Sequence, residues 1–293
     1  MKKLVSLLFV SVASLAFSTA FAAEKLDLER TVPVPANEQI PIMDFFRPAI
    51  LQQPKLNPSG THIAAIITAA EDRHQVLVCE LKTQKIEAVG GIGENDIYQV
   101  SWLNDRRLMF SLAARKLYGV GLFAADIGFL KESYPLLQYY GSGVISVPPK
   151  NRLRPLVWNR YDGLVNRRDL GVSVVNTDIK TGRFMNLLAA GTSWSSVMDA
   201  RDSNERNIVD RYPLPETGLT YHYMTDRDGQ LAFAMTAQDG ELAMSRLVDR
   251  KWVKCQVDLE HIDIESCGDE PGQVVVLGPR QDGKPRALQL MDA

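Results

Sequence analysis

The stretch LNPSGTHIAAIITAAEDRHQVLVCELKTQKIEAV, from Leu56 to Val89, decides the fold prediction. It opens with the turn Asn57-Pro58-Ser59-Gly60, and three short segments follow, IAAII, QVLVCEL and KIEAV. The first two segments are apolar, the third is mixed, and polar residues separate them. Short segments of this kind, bounded by turn residues, are typical of adjacent strands. The stretch therefore predicts a small sheet of at least three strands, to which IYQVSWLN either adds a fourth or begins the next unit.

The order of strand, turn and strand recurs along the chain. VSWLNDRRLMFSL is followed by GLFAADI and ESYPLL, and later by RPLVWNR and GVSVVNTDIKTGRFMNLL. Turns are predicted at Asn104-Asp105, Lys180-Thr181-Gly182-Arg183, Asp228-Gly229, Asp239-Gly240, Asp249-Arg250 and Asp282-Gly283. Units of roughly 40–50 residues with four short strands indicate the blades of a β-propeller. We therefore predict an all-β fold, an incomplete β-propeller of about four to five blades of four-stranded antiparallel sheets. An irregular β-sandwich is the alternative.

Three regions are predicted along the chain. Residues 1–22 combine a basic start, the apolar stretch LVSLLFVSVASLAF and small residues before Glu24, which indicates a secretory signal peptide cut near Ala22. An uncleaved membrane anchor is the alternative. Residues 23–55 are rich in proline and are expected to be extended, whereas residues 56–293 form the partial propeller. The mature chain is then expected in the periplasm or outside the cell, without membrane contact.

Charge and cysteine content exclude several classes of protein. The chain has 33 basic and 35 acidic residues in mixed order, so neither nucleic-acid binding nor a lipid-binding stripe is indicated. The three cysteines lack the spacing of a zinc site. Cys255 and Cys267 lie on what are expected to be neighbouring strands, so they form either a disulfide or two separate half-buried thiols. Cys79 is expected to be an ordinary strand residue.

Three motifs resemble one known family. IMDFFRPAILQQPKLNPSGTHIAAI is similar to the opening of the propeller in prolyl oligopeptidase-type serine peptidases, VSWLNDRRLMF to its second-blade motif, and MTDRDGQLAFAM to a strand pair in mid-propeller. The resemblance covers most of residues 42–293. It implies an N-terminal propeller that filters or positions peptides for an α/β-hydrolase domain on its C-terminal side.

No catalytic residue of that family can be assigned to this sequence. The chain has no Gly-x-Ser-x-Gly nucleophile elbow and no alternating strand–helix pattern, and it is expected to end in the middle of a blade. The histidines are expected at the surface or in packed positions: His62, His74, His222 and His261. A calcium loop at TDRDGQ would place Met224 and Met235 where carboxylates are required. No metal and no cofactor are therefore expected.

Aromatic and arginine side chains form the candidate ligand surface. These residues are Tyr140, Trp158, Arg160, Arg167 and Arg168, which fall in loops or strand ends around one unit. Such a group could hold a peptide carboxylate, and a solvated charged loop is the alternative.

Three functions remain open from the sequence. The first is a propeller portion of a prolyl oligopeptidase-like enzyme, without activity of its own, whose partners are peptide substrates or a separate hydrolase domain. The second is a stand-alone periplasmic binding propeller. The third is an active hydrolase with an unfamiliar site, which the sequence favours least.

Overall fold

The computed structural model describes residues 49–69, 72–91, 95–114, 118–138, 141–160, 170–178, 205–216, 218–280 and 283–293. The predicted signal peptide and most of the proline-rich segment lie outside these residues, as does the turn predicted at Lys180–Arg183. Within the described residues, no helix is both long enough and apolar enough to span a membrane.

Nineteen strands of the described chain form five sheets, and strands that follow one another along the chain are neighbours in each sheet. The first sheet contains β1 (Leu51–Leu56), β2 (His62–Thr68), β3 (His74–Glu80) and β4 (Ile86–Gly90). The second contains β5 (Asn95–Trp102), β6 (Arg107–Ala114), β7 (Tyr118–Asp126) and β8 (Tyr134–Gln138). The third contains β9 (Ser142–Ser146), β10 (Leu156–Arg160), β11 (Leu170–Val175) and β12 (Ile208–Arg211).

The fourth sheet contains β13 (Leu219–Thr225), β14 (Leu231–Gln238), β15 (Glu241–Val248) and β16 (Lys251–Lys254). The fifth contains β17 (Asp263–Cys267), β18 (Gln273–Leu277) and β19 (Leu288–Asp292). All pairings between neighbouring strands are antiparallel. Two short 3-10 turns, Leu130–Glu132 and Pro149–Asn151, interrupt the connections.

Each buried core lies between two successive sheets. Alternate residues of a strand point to opposite faces of its sheet, so each inner sheet contributes side chains to two cores. Pairs that represent the four cores, in chain order, are Ile66 and Phe110, Met109 and Val157, Val172 and Leu231, and Phe233 and Val276. None of these clusters of described residues joins the first sheet with the fifth. Four-stranded sheets stacked in chain order are the blades of a β-propeller, so the predicted fold is confirmed.

Hairpin turns in the fourth sheet explain why its strands could be located from the sequence. Asp239 and Gly240 have φ angles of 53° and 87°, and Asp249 and Arg250 have φ angles of 48° and 62°. Positive φ at both central residues is the mark of the type I′ turn, whose twist matches that of paired strands. Asp-Gly meets this requirement well, which is why the turn at 239–240 is visible in the sequence.

The first sheet begins earlier than the predicted boundary at residue 56. Strand β1 starts at Leu51 and includes Pro54, which falls within the predicted extended segment 23–55. The strand tolerates this proline because it lies at the edge of its sheet, where the register shifts between Gln52 and Lys55. Leu51–Leu56 is therefore part of the first blade.

Candidate functional site

The first strands of successive sheets lie side by side and form the inner wall of the stack. Strand β5 contacts β1, and β13 contacts both β9 and β17. Side chains of β5 also bridge to β9: the Tyr98 hydroxyl donates to the Ser142 carbonyl over 2.6 Å, and the Gln99 side-chain oxygen accepts the Val144 N–H over 3.1 Å. We call β1, β5 and β9 the inner wall.

A cavity of about 470 Å³ opens along this inner wall. We call it the inner-wall pocket. Three successive sheets and their connections contribute the polar side chains and one aromatic side chain to its lining. These residues are Lys55, Gln99, Ser101, Trp102, Ser146 and Arg152. Apolar side chains, among them Val144 and Ile145, complete the lining. The pocket therefore has a mainly polar accessible lining with an apolar part beside it.

Lys55 is one of two cations at the inner-wall pocket. Its ammonium group donates to the Val100 carbonyl over 2.8 Å and lies 3.4 Å from the Ser101 hydroxyl. Burial lowers the pKa of Lys55 below its usual range, because the surrounding protein replaces water around the charge. The partners of this cation are thus neutral oxygens.

Arg152 is the second cation, and it follows the 3-10 turn Pro149–Asn151. Its Nε donates to the Leu103 carbonyl over 3.1 Å, and its Nη2 donates to the Trp102 carbonyl over 2.8 Å. Burial lowers the pKa of Arg152, and the charge of Asp105 acts in the opposite direction. Arg152 therefore also has backbone carbonyls as its hydrogen-bond partners.

Trp102 links the two cations. Its side chain is only 3% exposed, and its indole N–H donates to the Lys55 carbonyl over 2.8 Å. Because its own carbonyl accepts from Arg152, Trp102 fixes the end of β5 between β1 and the segment that follows β9.

Two of the predicted ligand residues fall among the described residues. Trp158 is in β10, opposite Gly143 of β9, and a Cβ atom on that glycine would come within 2.5 Å of the Trp158 indole nitrogen. Arg160 ends the same strand, where its backbone pairs with Leu170. Tyr140, Arg167 and Arg168 lie outside the described residues, so the predicted surface stays a prediction. β10 is the second strand of its sheet, whereas the inner-wall pocket is lined by first strands and by Arg152.

All three cysteines are free thiols. Cys255 and Cys267 contribute to the same core, between the fourth and fifth sheets. Burial raises the pKa of both thiols, to about 11 for Cys267. In the structure the two are separate thiols, the alternative that the sequence left open.

Two histidines have polar side-chain partners close in sequence. His62 Nδ1 lies 3.0 Å from the Thr61 hydroxyl, and His261 Nδ1 lies 2.8 Å from Asp258. Together with Glu260, His261 and Asp258 place their ligand atoms within 4.8 Å of one another, which would suit a metal ion. All three side chains are exposed, and exposed acidic groups commonly lie together without a metal ion.

No family model and no curated protein matches the chain. Solved structures with similar chain traces include an acylaminoacyl peptidase from Pyrococcus horikoshii (14% identity, TM-score 0.44, covering 84% of this chain and 38% of that one). TolB from Acinetobacter baumannii is similar at 12% identity and a TM-score of 0.44, over 83% of this chain and 51% of that one. The β-propeller domain of the Trilobed protease from Pyrococcus furiosus has 12% identity and a TM-score of 0.45, over 83% of this chain and 70% of that one.

The chain thus spans less than two thirds of the first two of these structures. The fold itself follows from the order and packing of the five sheets. Together, fold and site define a β-propeller whose inner wall carries a pocket with two cations.

Proposed function

We propose that this chain is the propeller of a prolyl oligopeptidase-like serine peptidase, without catalytic residues of its own, and that it positions peptide substrates for an α/β-hydrolase domain. The observation that carries the proposal is the inner-wall pocket. It offers hydroxyls and cations beside apolar side chains, and a peptide presents the matching groups in its carbonyls, its carboxylate and its side chains.

The segments that carry the family resemblance also hold this pocket together. Asn57 opens the turn after Lys55, and its side-chain amide donates to the Asp105 carbonyl over 3.1 Å. The Asp105 carboxylate in turn accepts the Ser59 N–H over 2.7 Å. Because Asp105 lies in the turn that follows Trp102, the two family-like turns bind each other, and each follows a residue that lines the pocket. This arrangement supports a shared role for the motifs and the pocket.

Peptide binding without cleavage is the direct test of this proposal. The purified chain is mixed with labelled peptides of four to eight residues, binding is followed by fluorescence polarisation, and the peptides are then weighed by mass spectrometry. We expect binding and unchanged peptide masses. Cleaved products would contradict the proposal of a non-catalytic propeller, and peptides that fail to bind would contradict its role in positioning substrates.

The second candidate is a stand-alone binding propeller of the periplasm. It is favoured by the fact that both cations of the pocket belong to the described part of this chain, so that binding would need no second domain. A purified hydrolase domain of the same family, added to the chain, separates the two functions. Faster cleavage of bound peptides supports the peptidase role, whereas protection of bound peptides supports the binding protein.

Export to the periplasm or beyond is part of both proposals. We expect the N-terminus of the exported protein to follow Ala22, which N-terminal sequencing of the secreted or periplasmic fraction would test. An N-terminus at Met1 in that fraction would contradict the cleavable signal.

A further inference from the structure

We propose that the inner-wall pocket binds the C-terminal carboxylate of a peptide between Lys55 and Arg152. The choice of a peptide as the ligand rests on the proposed function, whereas the carboxylate site rests on the two cations themselves.

The first argument is the charge balance of the pocket. Two other partly buried arginines of the described chain have carboxylate partners, Arg107 with Asp126 and Arg73 with Asp96. By contrast, the hydrogen bonds of Lys55 and Arg152 go to backbone carbonyls and one hydroxyl. Arg152 is half-buried and Lys55 remains accessible from the pocket, and neither has an anionic partner among the described residues. Two neighbouring cations of this kind favour an anion that enters from outside.

The second argument is the number of donors that remain. An ammonium group has three N–H donors, and Lys55 places one on the Val100 carbonyl at short range. Arg152 uses Nε and one proton of Nη2, and its Nη1 has no partner among the described residues. The Nη1–Nη2 edge of a guanidinium is the fork that binds both oxygens of a carboxylate. The two side chains can therefore offer charge-assisted hydrogen bonds without losing the contacts that hold them.

Asp105, the acid whose charge acts on Arg152, does not fill this role. Asp105 contributes a favourable charge to Arg152, but one of its carboxylate oxygens accepts the Ser59 N–H and no ion pair joins it to Arg152. The pocket keeps a net positive charge even when Asp105 is included.

The shape of the pocket favours a peptide end over a small inorganic anion. A volume of about 470 Å³ far exceeds that of a single carboxylate, and the lining includes Val144 and Ile145. A peptide C-terminus joins a carboxylate to a side chain and a backbone, so it can occupy the charged and the apolar parts together.

The test compares a labelled hexapeptide that has a free C-terminal carboxylate with the same peptide carrying a C-terminal amide. We expect the unmodified chain to bind the acid about tenfold more tightly than the amide, since hydrogen bonds to charged groups contribute more than neutral ones. Lys55→Gln should remove most of this preference, measured as the ratio of the dissociation constants for amide and acid. Lys150→Gln is the matched control, because it removes the same charge from an exposed lysine that pairs with Asp228.

Equal binding of acid and amide by the unmodified chain would overturn the carboxylate site while leaving peptide binding intact. An equal loss of preference in Lys55→Gln and Lys150→Gln would overturn it as well, since the effect would then be one of net charge. N-acetylglycine, titrated against its methylamide and followed by nuclear magnetic resonance, separates the two proposals. If N-acetylglycine binds more tightly than its methylamide while neither hexapeptide binds, the carboxylate site stands and the peptide-positioning function fails.

Discussion

At the scale of single residues, Arg107 connects the second sheet to the third. Its guanidinium donates to both carboxylate oxygens of Asp126, over 2.8 and 3.0 Å, and to the Thr177 carbonyl over 3.0 Å. It also lies 5.6 Å from the centre of the Tyr134 ring. The hydrogen bond with Asp126 raises the pKa of Arg107, so the cation is held firmly in its charged form. Thr177 follows the last residue of β11 by two positions, so the contact spans two blades.

Tyr134 gives this network a pH dependence that can be measured. Burial raises the pKa of Tyr134 from 10.0 to about 12. The folded protein therefore keeps a proton that the unfolded chain loses above pH 10, and the free energy of unfolding falls as pH rises from about 10 to about 12. Between pH 9 and pH 11 we expect the free energy of unfolding, measured by urea denaturation, to fall by about 1 kcal/mol more in the unmodified chain than in Tyr134→Phe. Equal losses in the two proteins would contradict the buried, neutral phenol.

Gly143 is predicted to be essential for the position of Trp158. A methyl group at this position would overlap the indole, so Gly143→Ala should lower the free energy of unfolding by about 1–3 kcal/mol. Gly90→Ala is the control, since its nearest neighbour atom would lie 3.7 Å from the new Cβ. The urea midpoints of both variants test the difference. A Gly143→Ala midpoint equal to that of the Gly90 variant would mean that the indole is free to move away.

At the scale of elements, the turn after β1 depends on one buried amide. Asn57 is 3% exposed, and its side-chain oxygen accepts the N–H groups of Thr61 and His62 over 2.8 and 3.0 Å. Its side-chain nitrogen reaches the Asp105 carbonyl in the turn of the next sheet. One side chain thus closes its own turn and attaches it to the neighbouring blade.

Removing this amide should destabilise two blades together. Asn57→Ala leaves partly buried N–H groups without acceptors, and we expect the free energy of unfolding to fall by about 2–3 kcal/mol. Ser59→Ala in the same turn removes one exposed hydroxyl and should cost less than about 0.5 kcal/mol. Chemical denaturation of both variants provides the measurement. If both variants lower the free energy of unfolding by a similar small amount, the turn keeps its conformation without the Asn57 amide.

Elements with a local signal were the ones that the sequence predicted well. The turns at 228–229, 239–240 and 249–250 all lie between paired strands. They could be predicted because Asp-Gly and similar pairs favour the positive φ angles that tight turns between strands require. Strand β1 is not apparent in the sequence because Pro54 belongs to a proline-rich segment that indicates only an extended chain. A proline is tolerated in this strand at an edge position that only the folded sheet defines.

The inner-wall pocket could not be predicted for a different reason. Lys55, Trp102 and Arg152 are far apart in sequence and meet only when the first three sheets stack. The signal that could have pointed to them is the recurrence of a turn shortly after Lys55 and after Trp102, which places both at the same end of their strands. The predicted arginine and tyrosine surface relied instead on residues that cluster in sequence.

At the scale of the whole molecule, the outer face of the fifth sheet is apolar. Leu288 and Leu290 of β19 are 67% and 60% exposed, and they lie opposite Leu277 and Val275 of β18. The buried core of this sheet is on its other face, which packs on the fourth sheet. Exposed apolar faces of this kind promote association between copies.

The purified chain is therefore expected to self-associate as its concentration rises. Replacing both leucines with lysine should reduce light scattering at high concentration and leave the unfolding midpoint nearly unchanged, because neither side chain contributes to a buried core. Leu81→Lys, at an exposed position between β3 and β4, is the control and should leave the scattering as it was. If the double variant scatters as much light as the unmodified chain, the association involves another surface.

Hydrogen–deuterium exchange with and without a peptide ligand shows most directly whether the inner wall is the binding surface of this propeller. With a free-carboxylate hexapeptide bound, we predict slower exchange at residues 53–57, 98–104 and 143–153, and unchanged exchange in the outermost strands β4, β8 and β16. Protection confined to those outermost strands, or no change along the inner wall when the peptide is bound, would rule out the inner wall as the binding surface.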